Sequence, residues 1–192
     1  MGKLFATPLK IIDIRKIADQ FRHFLKLDPY KSVNVAKLLD VLSILWKDFG
    51  FQYLVLPDDD SIFGTQEEAK TDISSGMIYI KESVMEEACC CANKRASFTI
   101  AHEIGHFILH RMLGGVNLAR STSAKKTKIY EDPEWQANTF ASEFLMPFEA
   151  ARNMSIDEIR RTYCVSKDCA RVRFEKVRGE CLNDEIEQYL QN

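Results

Sequence analysis

Apolar residues recur at helical spacing in two stretches near the start of the chain. The first stretch, residues 8–27, predicts a helix with one apolar face. The second covers residues 34–48 and ends at Gly50. Two short apolar runs, residues 51–56 and 77–80, follow and are separated by turn-forming residues, which favours two strands. We therefore expect an α+β fold in which a small β-sheet packs against helices.

The second half of the chain is helical in pattern. Residues 94–112 predict a long helix that stops at Gly114, and residues 116–130 predict a long loop rich in serine and lysine. A further helix is expected to begin at Pro133, and residues 155–177 predict two helices joined by a short turn, as in a helix-turn-helix. We therefore expect one domain over residues 1–150 and a helical tail over residues 151–192.

The helix predicted at residues 94–112 contains the motif HExxH at residues 102–106. Residues four apart lie on one helix face, so His102 and His106 can bind the same metal ion. Glu103 then lies beside the metal, where its carboxylate can accept a proton from water. The motif is typical of zinc metallopeptidases. His110, one turn further on, is expected to be buried or to support a ligand rather than to bind the metal.

A catalytic zinc site usually needs a third protein ligand and leaves a fourth position for water. Four acidic residues downstream are candidates, namely Glu131, Asp132, Glu134 and Glu143. Glu134 is the best placed because it falls in the first turn of the helix after the loop, and Glu143 is the next choice. Asn138, one turn after Glu134, is expected to orient a ligand. Manganese and iron also suit a His/His/Glu set, so the choice of ion stays open.

Composition narrows the setting in which this chemistry takes place. The 192 residues are 46% hydrophobic and 28% charged, and the net charge of −2 gives no overall attraction to nucleic acid or to an anionic membrane. No apolar run is long enough to cross a bilayer, and the N-terminus lacks the pattern of a secretory signal, so we expect a cytoplasmic protein. The cysteines, including the run Cys89, Cys90 and Cys91, are therefore expected to be free thiols, and a thiolate ligand from this run is a less favoured alternative.

Two segments of the chain resemble a known family. Residues 98–110, FTIAHEIGHFILH, and residues 134–147, EWQANTFASEFLMP, are similar to the ImmA/IrrE-type metallopeptidases of bacteria and their mobile elements. The resemblance implies a zincin-like fold in which His102, His106 and Glu134 bind Zn²⁺ and Glu103 is the general base. It also implies a helix-turn-helix repressor as the substrate, whose cleavage switches on genes of a phage or other mobile element. The cysteine run has no counterpart in the family pattern.

The combined expectation is a zincin-like zinc metalloendopeptidase with a helical tail. The alternative is a non-catalytic, zinc-containing regulator that binds a repressor or DNA. The tail is only mildly basic, so packing between helices or docking of a protein explains it better than DNA binding does. Cleavage of a candidate repressor would separate the two interpretations.

Overall fold

A computed structural model describes residues 5–90, 94–114, 116–117 and 128–191. The fold is mixed α+β and mostly helical, which confirms the expected class. The helices are α1 (Ile11–Phe24), α2 (Val35–Leu45), α3 (Glu82–Cys90), α4 (Lys94–His106), α5 (Pro133–Leu145), α6 (Phe148–Ala151), α7 (Ile156–Thr162) and α8 (Lys167–Gln191). The strands are β1 (Phe5–Ala6), β2 (Gln52–Leu56), β3 (Ala69–Asp72), β4 (Met77–Lys81) and β5 (Val116–Asn117).

Three of the strands form a sheet beside the helices. Their order is β2-β4-β3, with β2 parallel and β3 antiparallel to the central strand β4. Strands β2 and β4 correspond to the two predicted apolar runs. The sequence pattern does not predict β3, because three of its four residues are polar and Ala69 is its one buried position. Strand β3 is an edge of the sheet. Strands β1 and β5 pair with each other separately, in antiparallel orientation.

Helix α4 continues directly into a π-helical segment, Phe107–Met112, so the two together reproduce the predicted helix over residues 94–112. The segment ends at Leu113, and Gly114 follows with a φ of 65°. This left-handed conformation favours glycine, as at many helix C-termini. In a π-helix the backbone hydrogen bonds span five residues, and such segments occur often at functional sites.

An aromatic cluster joins the N-terminal helices to the helices that carry the motif. The Phe21 ring of α1 lies 5.2 Å from that of Trp46 and 5.1 Å from that of Phe144 in α5. Trp46 in turn stacks on Phe107, with 5.8 Å between the ring centroids. Burying aromatic side chains of this size is a large source of stability. The cluster therefore fixes α1 and α5 relative to the end of α4.

The C-terminal helices α7 and α8 are joined by a short turn, but α8 extends to Gln191 rather than ending near residue 177. Arg173 of α8 donates two hydrogen bonds of 2.7 Å to the carboxylate of Glu143 in α5. The tail thus contacts the helix that follows the predicted loop, and the domain boundary at residue 150 stays a prediction. Among the described residues, no helix is both long enough and apolar enough to cross a membrane.

Candidate metal centre

Three side chains from two helices converge in a cleft between α4, α5 and β3. The Nε2 atoms of His102 and His106 lie 2.9 Å apart. Glu134 Oε2 lies 3.3 Å from His102 Nε2, and Glu134 Oε1 lies 3.4 Å from His106 Nε2. All these ligand atoms fall within 4.8 Å of one another. The structure therefore brings together the three residues that the sequence analysis selected as metal ligands.

The spacing of these atoms fits a tetrahedral metal site. Zinc binds histidine nitrogen and carboxylate oxygen at about 2.0–2.2 Å, so tetrahedral ligands lie roughly 3.3 Å from one another. The three observed separations, between 2.9 and 3.4 Å, bracket that distance. Two imidazoles and one carboxylate also form a donor set that zinc accepts, and they leave a fourth position for another molecule. The residues present thus fit a divalent ion.

Local sequence places Glu134 opposite the two histidines. The Asp132 side chain accepts a hydrogen bond from the backbone N–H of Glu134 at 3.0 Å, and Pro133 occupies the first turn, so α5 begins at this point. A Cβ atom at Gly105 would lie 3.0 Å from the Phe140 ring and 3.3 Å from the Ala137 carbonyl oxygen. The glycine inside the motif therefore allows α5 to approach α4 closely enough for Glu134 to reach the histidines.

Both histidine rings are held through their second nitrogen. His102 Nδ1 lies 3.1 Å from Asn138 Oδ1, the contact expected from the sequence. His106 Nδ1 lies 3.0 Å from His110 Nδ1, and His110 Nε2 lies 3.0 Å from Gln136 Oε1. His110 is thus a buried residue that supports a ring of the site and is no part of the ligand cluster. Such contacts fix ring orientation and direct Nε2 toward the cleft.

The electrostatics of the centre favour a positive charge between the ligands. The contacts with His102 and His106 hold the pKa of the Glu134 carboxylate well below its usual range. Burial lowers the pKa of His102, but the contacts with Glu134 and the nearby charge of Glu103 outweigh burial and raise it overall. Burial lowers the pKa of His110 to about 4, so this ring is neutral at physiological pH.

Glu103 lies in the same cleft, which has a volume of about 550 Å³ and is lined by residues of β3, α4 and the start of α5. The Thr71 hydroxyl of β3 lies 2.6 Å from Glu103 Oε2 and donates a hydrogen bond to it. The side chain of Glu103 is largely buried, with a relative exposure of 7% for the residue. The cleft therefore brings one fixed carboxylate next to the three ligand candidates.

The other acidic candidates have different partners. Glu143 is buried and accepts hydrogen bonds from Arg15 and Arg173, so it does not join the cluster. Asp132 caps α5, and Glu131 accepts a hydrogen bond from the backbone of Lys128 within its own turn. Among the four carboxylates considered from sequence, Glu134 is thus the one placed against the histidines.

The cysteine run lies partly outside the described residues. The side chain of Cys90 and all of Cys91 fall outside them. Cys89 is exposed and lines a separate depression with Tyr53 and Met85. The thiol of Cys89 therefore lies away from the histidine cluster.

Sequence reasoning missed two residues of the centre, Thr71 and Gln136. Thr71 comes from a polar edge strand that has no periodic signal, and it lies far from the motif along the chain. Gln136 follows Glu134 by two residues in the same predicted helix, but only the folded structure shows that it is wholly buried. A glutamine in the first turns of a helix is ordinarily exposed, so nothing in its neighbours marks it.

A small sheet beside an HExxH helix, with a carboxylate supplied by the following helix, is the arrangement typical of metallopeptidases. The family model described as the IrrE N-terminal-like domain, of the peptidase M78 group, matches residues 66–175. This match covers more than half of the chain, and the chain belongs to that family. The predicted resemblance to ImmA/IrrE-type proteins is confirmed.

A solved structure described as a Mycobacterium tuberculosis transcriptional regulator has a similar fold. The TM-score is 0.52 at 15% sequence identity, and the match covers 83% of this chain and 45% of that one. The chain thus spans less than half the length of that protein, and at this identity the likeness concerns the fold alone. No curated protein sequence matches the chain.

Proposed function

We propose that the chain is a zinc-dependent metalloendopeptidase in which His102, His106 and Glu134 bind the ion and Glu103 is the general base. The observation that carries this proposal is the convergence of three ligand atoms within 4.8 Å in a cleft that also holds Glu103. Membership of a metallopeptidase family supports it. Zinc at such a site supplies a Lewis acid that polarises a carbonyl group and acidifies water.

The residues around the cleft provide the remaining functions. Thr71 donates a hydrogen bond to Oε2 of Glu103. Among the described residues no hydrogen bond involves Oε1, so this second oxygen can accept a proton from the attacking water. The same carboxyl group then delivers the proton to the leaving amine. Strand β3 is a sheet edge, and its residues Ala69, Lys70 and Thr71 line the cleft. An extended peptide can pair with this edge and pass in front of Glu103.

The proposed substrate is a helix-turn-helix repressor in the cytoplasm, whose cleavage derepresses genes of a phage or mobile element. The resemblance to ImmA/IrrE-type proteins supports this choice. The structural neighbour is itself described as a transcriptional regulator. The test is incubation of the purified chain with candidate repressors, followed by mass spectrometry of the fragments. Cleavage at one defined bond is the expected result.

Zinc content tests the metal site directly. Wild-type protein, loaded with zinc and dialysed, is expected to retain about one zinc per chain by mass spectrometry. Glu134→Ala should lose or strongly weaken this binding, whereas Glu131→Ala, three residues away and directed elsewhere, should keep it. A wild type that stays free of zinc would contradict the proposal.

Glu103→Gln tests the general base. The substituted amide oxygen can still accept the hydrogen bond from Thr71, so we expect normal folding and zinc content. Turnover should fall at least about 100-fold, because general-base catalysis contributes roughly 10²–10⁴. Undiminished cleavage would exclude this role. The non-catalytic alternative predicts that this variant still releases the repressor from its DNA, since binding to the repressor would then be sufficient without cleavage.

A further inference from the structure

A buried hydrogen-bonded chain leads away from the metal centre on the side opposite the cleft. From His106 it passes to His110, whose relative exposure is 2%, and then to Gln136, whose relative exposure is 0%. The Nε2 amide of Gln136 donates to two backbone carbonyl oxygens, those of Thr7 and Tyr130, both at 2.8 Å. Two side chains and two main-chain segments therefore lie behind one candidate ligand.

The two carbonyl groups determine the direction of every hydrogen bond in this chain. A carbonyl oxygen can only accept, so the amide NH₂ of Gln136 must face Thr7 and Tyr130. Its Oε1 must then face His110, and Nε2 of His110 must carry a proton to donate to it. A neutral imidazole has one donor and one acceptor nitrogen. With its proton on Nε2, the buried imidazole of His110 has Nδ1 as its acceptor nitrogen, and the Nδ1–H of His106, 3.0 Å away, donates a hydrogen bond to it.

We infer that Gln136 and His110 are positioning residues that fix the tautomer of His106. With its proton on Nδ1, His106 presents the lone pair of Nε2 toward His102 and Glu134, which is the form that binds a metal ion. This inference rests on the proposed function in one respect, namely that His106 is a ligand. The polarity originates in two main-chain carbonyl groups, those of Thr7 and Tyr130.

The same chain links the centre to the N-terminal segment. The N–H of Leu9 donates to the Tyr130 carbonyl oxygen at 3.1 Å, and Thr7 follows strand β1, which pairs with β5. Tyr130 lies in the turn just before α5. The segment that precedes α1 therefore supplies one of the two carbonyl groups that orient Gln136. The centre is assembled from parts that are more than one hundred residues apart.

The direct test is the tautomer of His106 in wild-type protein freed of metal with a chelator. Two-bond proton–nitrogen correlation spectra of the ¹⁵N-histidine-labelled chain, in mildly alkaline buffer, distinguish protonated from unprotonated ring nitrogens. We expect His106 protonated at Nδ1 and His110 protonated at Nε2. The exposed His23 provides the spectrum of an unconstrained ring. His106 protonated mainly at Nε2 would overturn the inference, and this measurement needs no variant.

Variants then test whether the polarity matters for zinc. His110→Gln retains an acceptor for His106 and a donor for Gln136, so zinc affinity from chelator competition should stay close to that of the wild type. His110→Leu and Gln136→Met remove the polarity with similar volume and should weaken zinc binding about 10- to 100-fold, as losses of outer hydrogen-bond partners do. Thr139→Val is the matched control, because this buried hydroxyl of α5 donates only to Trp135 of its own helix.

The outcomes separate this inference from the proposed function. If the wild type bound no zinc, the proposed function would fail, but the tautomers of the metal-free protein would still decide the inference. Normal zinc binding in His110→Leu, with folding equal to that of the Thr139→Val control, would overturn the positioning role and leave the proposed function intact. Loss of zinc in His110→Leu together with retention in His110→Gln supports both.

Discussion

Thr71 is the residue that holds the candidate general base in place. Its hydroxyl lies 2.6 Å from Oε2 of Glu103 and 3.1 Å from the carbonyl oxygen of the same residue. A hydrogen bond to an ionised group is worth more than one between neutral groups. It also selects one rotamer of a carboxylate that would otherwise rotate within the cleft. The edge strand thus supplies a fixed partner to Glu103 as well as a wall of the cleft.

Replacing Thr71 tests this role at the level of one atom. Thr71→Val has nearly the same shape and lacks the hydroxyl, so the hydrogen bond worth about 1.5–3 kcal/mol is lost. We expect turnover to fall about 10- to 100-fold, because 1.4 kcal/mol corresponds to a factor of ten in rate. Zinc content should be unchanged. Thr71→Ser, which restores the hydroxyl, should recover most of the activity, and equal activity of the two variants would contradict the role.

At the scale of elements, the π-helical segment connects the motif helix to the sheet through Arg111. Nη1 of this side chain donates to the carbonyl oxygens of Ile73 and Ser74 at 2.7 and 2.6 Å, and Nε donates to that of Phe49 at 3.2 Å. The guanidinium thereby pairs two carbonyl groups of the turn between β3 and β4 and one carbonyl group of the segment before β2. A Cβ atom at Gly76 would lie 2.7 Å from Arg111 Nε and 2.5 Å from the Gly50 carbonyl oxygen, so glycine is required at this approach.

Arg111→Met should loosen the turn that leads from β3 to β4. The substitution keeps the stem of the side chain but leaves three carbonyl groups without this partner, and charged hydrogen bonds contribute about 1.5–3 kcal/mol each to such sites. We expect the free energy of unfolding, from urea titration, to fall by only about 2 kcal/mol in total. The turn is partly exposed, so water can replace some of the lost hydrogen bonds. Arg111→Lys retains one donor and should lose less. Faster amide exchange confined to residues 73–76 would locate the effect.

The elements that sequence could predict are those whose signal is local. Periodic apolar spacing located α1, α2 and α4, and the Asp132–Pro133 pair located the start of α5. Strand β3 has no such signal, since it is stabilised by pairing with β4 rather than by its own residues. The same reason applies to the site. His102, Glu103 and His106 follow from one local motif, whereas Thr71 and the buried Gln136 have no local signal. Their roles depend on contacts made only after the chain has folded.

At the scale of the whole molecule, a buried carboxylate joins three helices. Glu143 of α5 accepts hydrogen bonds from Arg15 of α1 and Arg173 of α8, and Glu180 of α8 also contacts Arg15 at 2.7 Å. The side chains of Glu143 and Arg173 are only 3% and 1% exposed. Because α5 also supplies Glu134, this cluster ties the orientation of the tail to the helix that completes the metal centre.

The cluster predicts a dependence of stability on acid pH. Burial raises the pKa of Glu143, but the ion pairs with Arg173 and Arg15 lower it by more, so it lies below the ordinary value of 4.5. A carboxylate with a lowered pKa in the folded state stabilises the protein fully above 4.5, and this contribution is lost as the pH falls toward the folded-state value. Urea titrations at a series of pH values should show stability falling below about pH 4.5. Glu143→Gln should flatten this fall.

Arg173 and Arg171 provide a matched pair on the same helix. Arg171 is 57% exposed and faces the largely exposed Asp168, so Arg171→Gln should change the free energy of unfolding by less than about 0.5 kcal/mol. Arg173→Gln breaks a buried ion pair, for which losses of about 3–5 kcal/mol are usual. We expect a value near the lower limit, about 3 kcal/mol, because Arg15 still neutralises Glu143. Since α8 is held to α5 through this pair, zinc affinity should fall together with stability in Arg173→Gln alone. Equal stability of the two variants would show that the tail is held by its apolar contacts and not by this cluster.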